Sequence, residues 1–191
     1  DGLVSLGCSK NVVDSECMLG LIDQAGMTVS STADDADALV VNTCGFIEPA
    51  IEESVDTILE LADYRRQGPC RALIIAGCLS QRYQEELLSE FPEVDAVLGT
   101  ADLHRIVEVI EQALAADDQL NFVGSGTLRH TEPFPRLLAT PSYTAYVKIS
   151  EGCSHSCSFC VIPELRGPHV SRPTEEIVAE AADLAQGGVR E

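Results

Sequence analysis

Basic residues are scarce in this 191-residue chain: 12 Lys and Arg stand against 31 Asp and Glu, a formal net charge of −19. No Lys/Arg run is present. Nothing therefore concentrates positive charge against a phosphate backbone, and so acidic a surface suits a cationic partner such as a basic protein. Long apolar runs are lacking as well, and none approaches the ~20 residues that span a bilayer. No signal peptide is recognisable, although the chain starts at Asp1 rather than Met, so that absence carries little weight. Internal repeats and low-complexity tracts are also missing.

What remains is globular in character. Hydrophobic residues make up 45% and charged residues 23%, which permits a sizeable core. The length suits one full domain and part of another. There are eight cysteines. Disulfide frameworks belong to small scaffolds in oxidising compartments. A chain with long helical patterns and no leader points instead to metal binding.

Apolar runs at Leu3–Leu6, Ala38–Asn42, Ala72–Ala76 and Val94–Leu98 read as buried strands, with a further short one at Met27–Ser30. Between them lie helical stripes: Met18, Leu21, Ile22 and Ala25; Ile51, Val55, Ile58, Leu59 and Ala62; Tyr83, Leu87, Leu88 and Phe91; Leu103, Ile106, Val107, Ile110 and Leu114. Asn11 is the expected N-cap of the first helix and Gly26 its C′ stop. This alternation predicts an α/β domain over residues 1–117, a doubly wound parallel sheet with helices on both faces. Residues 118–142, with Pro133, Pro135, Pro141, Gly124 and Gly126, read as a linker, with a hairpin around Phe122–Leu128. Tyr143–Ile149 reads as a new strand and Thr174–Ala185 as a helix carrying Ile177, Val178, Ala181 and Leu184 on one side. One strand and one helix cannot bury a core, so residues 143–191 read as the start of a truncated second domain.

Cys153, Cys157 and Cys160 have the spacing C-x3-C-x2-C. Scattered at random, eight cysteines would match it only about 1% of the time. A [4Fe–4S] cluster normally takes four cysteines. Three leave one iron free for a small molecule, as an open zinc position does in catalysis. The alternative is structural zinc, with His155 or a distant cysteine as fourth ligand. His155 would have to fold back on its own loop, and otherwise reads as a solvated residue. Cys8, Cys44 and Cys78 each follow the end of a different expected strand. In an open parallel sheet those ends share one edge, where ligands bind. Gly7, Gly45 and Gly77 flank them and would let backbone approach a bulky cluster. Cys17 and Cys70 sit at no strand end and read as structural thiols.

The triad with its strand and helix resembles the radical S-adenosylmethionine (SAM) superfamily. The resemblance implies a (β/α) barrel begun at 143–191, a [4Fe–4S] cluster on Cys153, Cys157 and Cys160, and SAM chelated on the fourth iron. Reductive cleavage of SAM then gives a 5′-deoxyadenosyl radical. Phe159 takes the aromatic position that packs near adenine; a core aromatic is the plainer reading. The segments Ser5–Asn11, Asn42–Phe46, Ala76–Gln81, Glu151–Cys153, Cys160–Pro163 and Arg166–Gly167 resemble the methylthiotransferase family within that superfamily. The resemblance implies a second, auxiliary [4Fe–4S] cluster on Cys8, Cys44 and Cys78.

Within that family, Cys8–Glu16 and Cys44–Ile47 resemble the branch that modifies an aspartate β-carbon of small-subunit ribosomal protein twelve, rather than the branch acting on a tRNA adenosine. The acidic charge agrees, because ribosomal proteins are basic. The implied chemistry uses one SAM to methylate sulfur at the auxiliary cluster and a second to generate the radical. It also implies a flavodoxin- or ferredoxin-type electron donor and a cytoplasmic setting. Lys10 and Asn11 lie beside the auxiliary triad as candidate substrate or sulfur contacts. Arg166 reads as a SAM contact, as a residue that orders its loop, or as a solvated surface residue. A non-catalytic iron–sulfur carrier or zinc module is the alternative of another class; a carrier needs fourth ligands, for which Cys17 and Cys70 are candidates. The 191 residues alone, lacking most of a barrel, are expected to be inactive.

Overall fold

A computed structural model describes residues 1–30, 32–125 and 134–191. Strands β1 (Gly2–Ser5), β2 (Ala38–Thr43), β3 (Ala72–Gly77), β4 (Ala96–Leu98) and β5 (Leu120–Phe122) form one sheet in that order, every pairing parallel. Helices α1 (Ser9–Gln24) and α4 (Ile106–Ala115) cover one face; α2 (Glu48–Gln67) and α3 (Cys78–Glu90) cover the other. The period of two along each strand sorts the core. Val40, Ile74 and Leu98 pack with Met18 and Ile110. Val41, Ile75 and Val97 pack with Ile58 and Leu87 on the opposite side. Because both faces are covered, β2 and β3 are buried at every position and read as unbroken apolar runs. Each such Ile, Leu or Val stabilises the fold by ~1.5–3 kcal/mol.

Several expectations need correction. Asn11 is not an N-cap: α1 begins at Ser9 with Cys8 at its cap, so Asn11 lies inside the first turn. Met27–Ser30 is not a strand, although Ser30 N–H donates to the Asp1 carbonyl and the Asp1 amine to that of Thr28. On α2, Leu59 is exposed, and Ser54 and Leu61 take the buried positions. The sheet continues past 117, since β5 adds to the edge of β4 in parallel. The segment around Phe122 is thus a sheet strand, not the first arm of a hairpin. The rest of that expected hairpin, to Leu128, lies outside the described residues.

The second part of the chain holds β6 (Ser150–Glu151) antiparallel to β7 (Val170–Ser171), α5 (Ile162–Arg166) and α6 (Thr174–Gln186). Tyr143–Ile149 is not a strand. Its first residues do pair: Glu191 N–H donates to the Tyr143 carbonyl and Ala145 N–H to the Glu191 carbonyl. That alternation is the bonding pattern of a parallel ladder. None of α6 is buried, and Val178, expected on its apolar side, is exposed.

Candidate metal centre

The carboxyl ends of β1, β2 and β3 lie side by side, with Ser5 opposite Asn42 and Thr43 opposite Gly77. Cys8, Cys44 and Cys78 follow on that one edge. Cys8 is exposed; Cys44 and Cys78 are buried. Cys8 caps α1 and Cys78 opens α3, so both stand at helix starts. The flanking glycines serve the approach of these loops to one another. A Cβ at Gly7, whose φ is +89°, would stand 2.8 Å from the Cys44 Cβ, and one at Gly45 would stand 2.7 Å from the Cys78 carbonyl oxygen. Burial pushes the Cys78 thiol up from the ordinary thiol range, and a hydrogen bond and positive charge from Arg166 work against that rise.

The second triad lies on the loop between β6 and α5. Cys157 is exposed and Cys153 and Cys160 are half-buried. Cys153 N–H donates to the Gly167 carbonyl at 3.0 Å and closes the loop at its neck. Gly152, at φ +71°, lets the chain pass the Gly167 and Pro168 carbonyls there. Phe159 is 85% exposed, so it is not a core aromatic. His155 is exposed.

Among the described residues no three or more His, Cys, Asp or Glu side chains gather closely enough to hold one metal ion. A [4Fe–4S] cluster takes its thiolates at separate corners rather than around one atom. The donor set suits that chemistry. All the cysteines are free thiols; three lie within one short accessible loop and three more along one sheet edge. Cys70 belongs to the α2/α3 core and donates to the Ala72 carbonyl. Cys17 lines a cavity of about 460 Å³ between α1 and α6, where burial, then the Asp14 charge, push its thiol to about 12.

Between the triads runs a set of charges, mostly buried, of which sequence reasoning singled out Lys10 and Arg166 but missed Asp14, Lys148 and Glu151. Arg166 is 4% exposed, so it is not a solvated surface residue. It donates to Asp14 at 3.0 Å, to Glu151 at 3.1 Å and to Asn11 Oδ1 at 2.7 Å. Lys148 bridges the same two carboxylates, and Lys10 reaches Glu151 at 3.1 Å and the Ser150 carbonyl at 3.2 Å. Lys10 is thereby engaged within the chain. Burial raises the Glu151 carboxyl, but the charges of Lys148 and Arg166 outweigh it and hold the group down to about 2. Nearby, fully buried Glu16 accepts from Arg136 and from the backbone amides of Ala139 and Thr140. It straps the expected linker to α1. One signal for these residues was available: the α1 stripe through Met18 and Ile22, carried back, lands on Asn11, Asp14 and Ser15, polar residues in core positions.

No helix among the described residues is long and apolar enough to cross a membrane. Over 190 residues the chain is 54% identical to the ribosomal protein uS12 methylthiotransferase RimO of Desulforamulus reducens, an alignment covering 100% of this chain and 43% of that protein. It is 52% identical over 189 residues to the protein of the same name from Trichlorobacter lovleyi, covering 99% of this chain and 42% of the relative. For that of Symbiobacterium thermophilum the identity is 52% over 190 residues, covering 100% and 39%. The chain thus spans about two fifths of the length of these curated relatives. Its residues 2–99 match the profile described as uncharacterized protein family UPF0004, and the chain belongs to that family.

Proposed function

We propose that this chain is the N-terminal part of a radical SAM methylthiotransferase that adds a methylthio group to an aspartate β-carbon of ribosomal protein uS12. The identity of 50–54% over essentially the whole chain to proteins named for that activity carries the reading. The geometry supports it. Cys153, Cys157 and Cys160 would hold one [4Fe–4S] cluster, and Cys8, Cys44 and Cys78 the auxiliary one. When bound, the clusters and SAM supply reductive SAM cleavage and a site for the transferred sulfur.

The chain's own residues would hold these groups. The ends of β1 to β3 and the starts of α1 and α3 set the auxiliary thiols on one edge. The neck of the second loop, held by Cys153 and Gly167, stands against α1 through Arg166. Exposed Phe159 is free to cover a bound adenine. The ladder between Tyr143, Ala145 and Glu191 supports residues 143–191 as the first strand–helix unit of a (β/α) barrel. Lys10, Arg65, Arg66, Arg105, Arg136, Lys148, Arg166 and Arg172 are all held in ion pairs. Little positive charge is left to meet RNA, and the acidic surface suits a basic protein. A flavodoxin- or ferredoxin-type donor and a cytoplasmic setting follow from the same reading.

The test uses the full-length protein, reconstituted anaerobically, with SAM, a reductant, and purified uS12 and tRNA in separate reactions. Mass spectrometry is expected to find a methylthio group on an aspartate of uS12 and none on tRNA. Modified tRNA with untouched uS12 would overturn the substrate; no transfer to either, with SAM intact, would leave a non-catalytic module.

A further inference from the structure

Asn11 occupies an unusual place among the cysteine loops. Its Nδ2 donates both hydrogens, to the Leu6 and Thr43 carbonyls, each at 2.9 Å. Those two carbonyls lead directly into Gly7-Cys8 and into Cys44. Its own backbone carbonyl accepts from Asn42 Nδ2 at 2.9 Å. One amide side chain therefore ties together the starts of two of the three auxiliary loops. Its buried Oδ1 accepts from Arg166 at 2.7 Å and from Cys8 Sγ at 3.8 Å.

Arg166 ends α5, six residues beyond Cys160 and next to Gly167, the residue that closes the Cys153 loop. The positive charge of Arg166 also acts on the Cys78 thiol. Two of the auxiliary loops thus meet Arg166 through Asn11, the third lies within the reach of its charge, and Arg166 stands at the neck of the other triad's loop.

We infer that Asn11 and Arg166 form the joint that fixes the Cys153–Cys157–Cys160 loop relative to Cys8, Cys44 and Cys78. They are positioning residues that would set the radical-generating loop against the sulfur-bearing triad. This rests on the two-cluster reading above. The plainer role for Arg166, neutralising Asp14 and Glu151, needs only a positive charge. The joint needs the planar fork, because one ammonium cannot hold Asn11, Asp14 and Glu151 in a fixed geometry. Arg166→Lys therefore separates the two roles. Asn11→Asp keeps an acceptor for Arg166 and removes the donors to Leu6 and Thr43.

The experiment takes both variants in the full-length protein, first without iron. Amide hydrogen exchange across residues 150–167 is expected to rise about tenfold in Arg166→Lys, the equivalent of ~1.4 kcal/mol of lost protection. Alkylation of Cys44 is expected to accelerate by a similar factor in Asn11→Asp. After reconstitution, iron per chain should match the unaltered protein, while methylthio product formed per SAM cleaved falls at least tenfold in both. Exchange, alkylation and product yield all unchanged would overturn the joint. So would failure of both variants to fold, which would assign the pair to stability alone. An unaltered protein that binds no iron at either triad would sink the cluster reading, yet the iron-free measurements would still judge the joint.

Discussion

Lys148 Nζ lies 2.5 Å from Asp14 Oδ1, an ion pair between residues 134 apart in sequence, with both side chains almost fully buried. It joins the second part of the chain to α1. Buried pairs rarely add much net stability, but removing Lys148 leaves Arg166 alone to balance Asp14 and shared with Lys10 on Glu151, in a low dielectric. Lys148→Met is therefore expected to destabilise the fold by ~3 kcal/mol in urea unfolding. The double variant Asp14→Leu/Lys148→Met should recover most of that loss. Equal losses in the single and double variants would contradict the pairing.

The Glu151 carboxyl, held at about 2 against an ordinary 4.5, makes stability depend on acid. A depressed carboxylate contributes in full above its unfolded value and loses that contribution as pH falls through the folded one. The shift corresponds to roughly 3 kcal/mol. Glu151→Gln should thus be markedly less stable at pH 7, with the gap narrowing below pH 4.5 and closing near pH 2. A gap constant from pH 7 to pH 2 would be inconsistent with the buried charge cluster.

The thiol of Cys17, raised to about 12 from an ordinary 9, should hold on the order of 100- to 1,000-fold less thiolate at pH 8 than an unperturbed cysteine. Iodoacetamide mapping of the iron-free protein is expected to modify Cys8 and Cys157, which are exposed, long before Cys17. Early modification of Cys17 would show that the α1/α6 cavity opens readily.

Glu16 holds the strap through Arg136, Ala139 and Thr140, while Arg136 also reaches Glu180 on α6. Glu16→Ala leaves Arg136 short of a partner and frees two amides. Limited proteolysis is expected to cut within 134–142 at least tenfold faster in that variant, as a loss of ~1.4 kcal/mol or more implies. An unchanged cleavage rate would mean that the strap is held by Pro135 and its neighbours instead.

Much of this architecture was legible in the sequence because of where its strands lie. Those covered on both faces announce themselves as apolar runs, so β2 to β4 emerged within about two residues, and the apolar edge strand β1 within one. The edge strand β5 is short and half exposed, with Asn121 at its centre, and had no such signature. Tyr143–Ile149 has the composition of a strand but pairs only at its ends among the described residues, with Arg190 and Glu191 at one and Arg172 at the other. The cysteines could be singled out because spacing and strand ends are written in one dimension. The charges that join them could not, since Asn11 and Arg166 are 155 residues apart and their meeting depends on two loops converging. Polar residues on the core stripe of α1 were their only trace, and assigning Asn11 to a cap concealed it.

Iron and acid-labile sulfide per chain, measured after anaerobic reconstitution, test the central claim most directly. The account predicts about eight irons, falling to about four in a Cys153/Cys157/Cys160→Ala variant and to about four in a Cys8/Cys44/Cys78→Ala variant. About four irons lost only with the first triad would reduce Cys8, Cys44 and Cys78 to structural thiols. Zinc in place of iron would contradict the account outright.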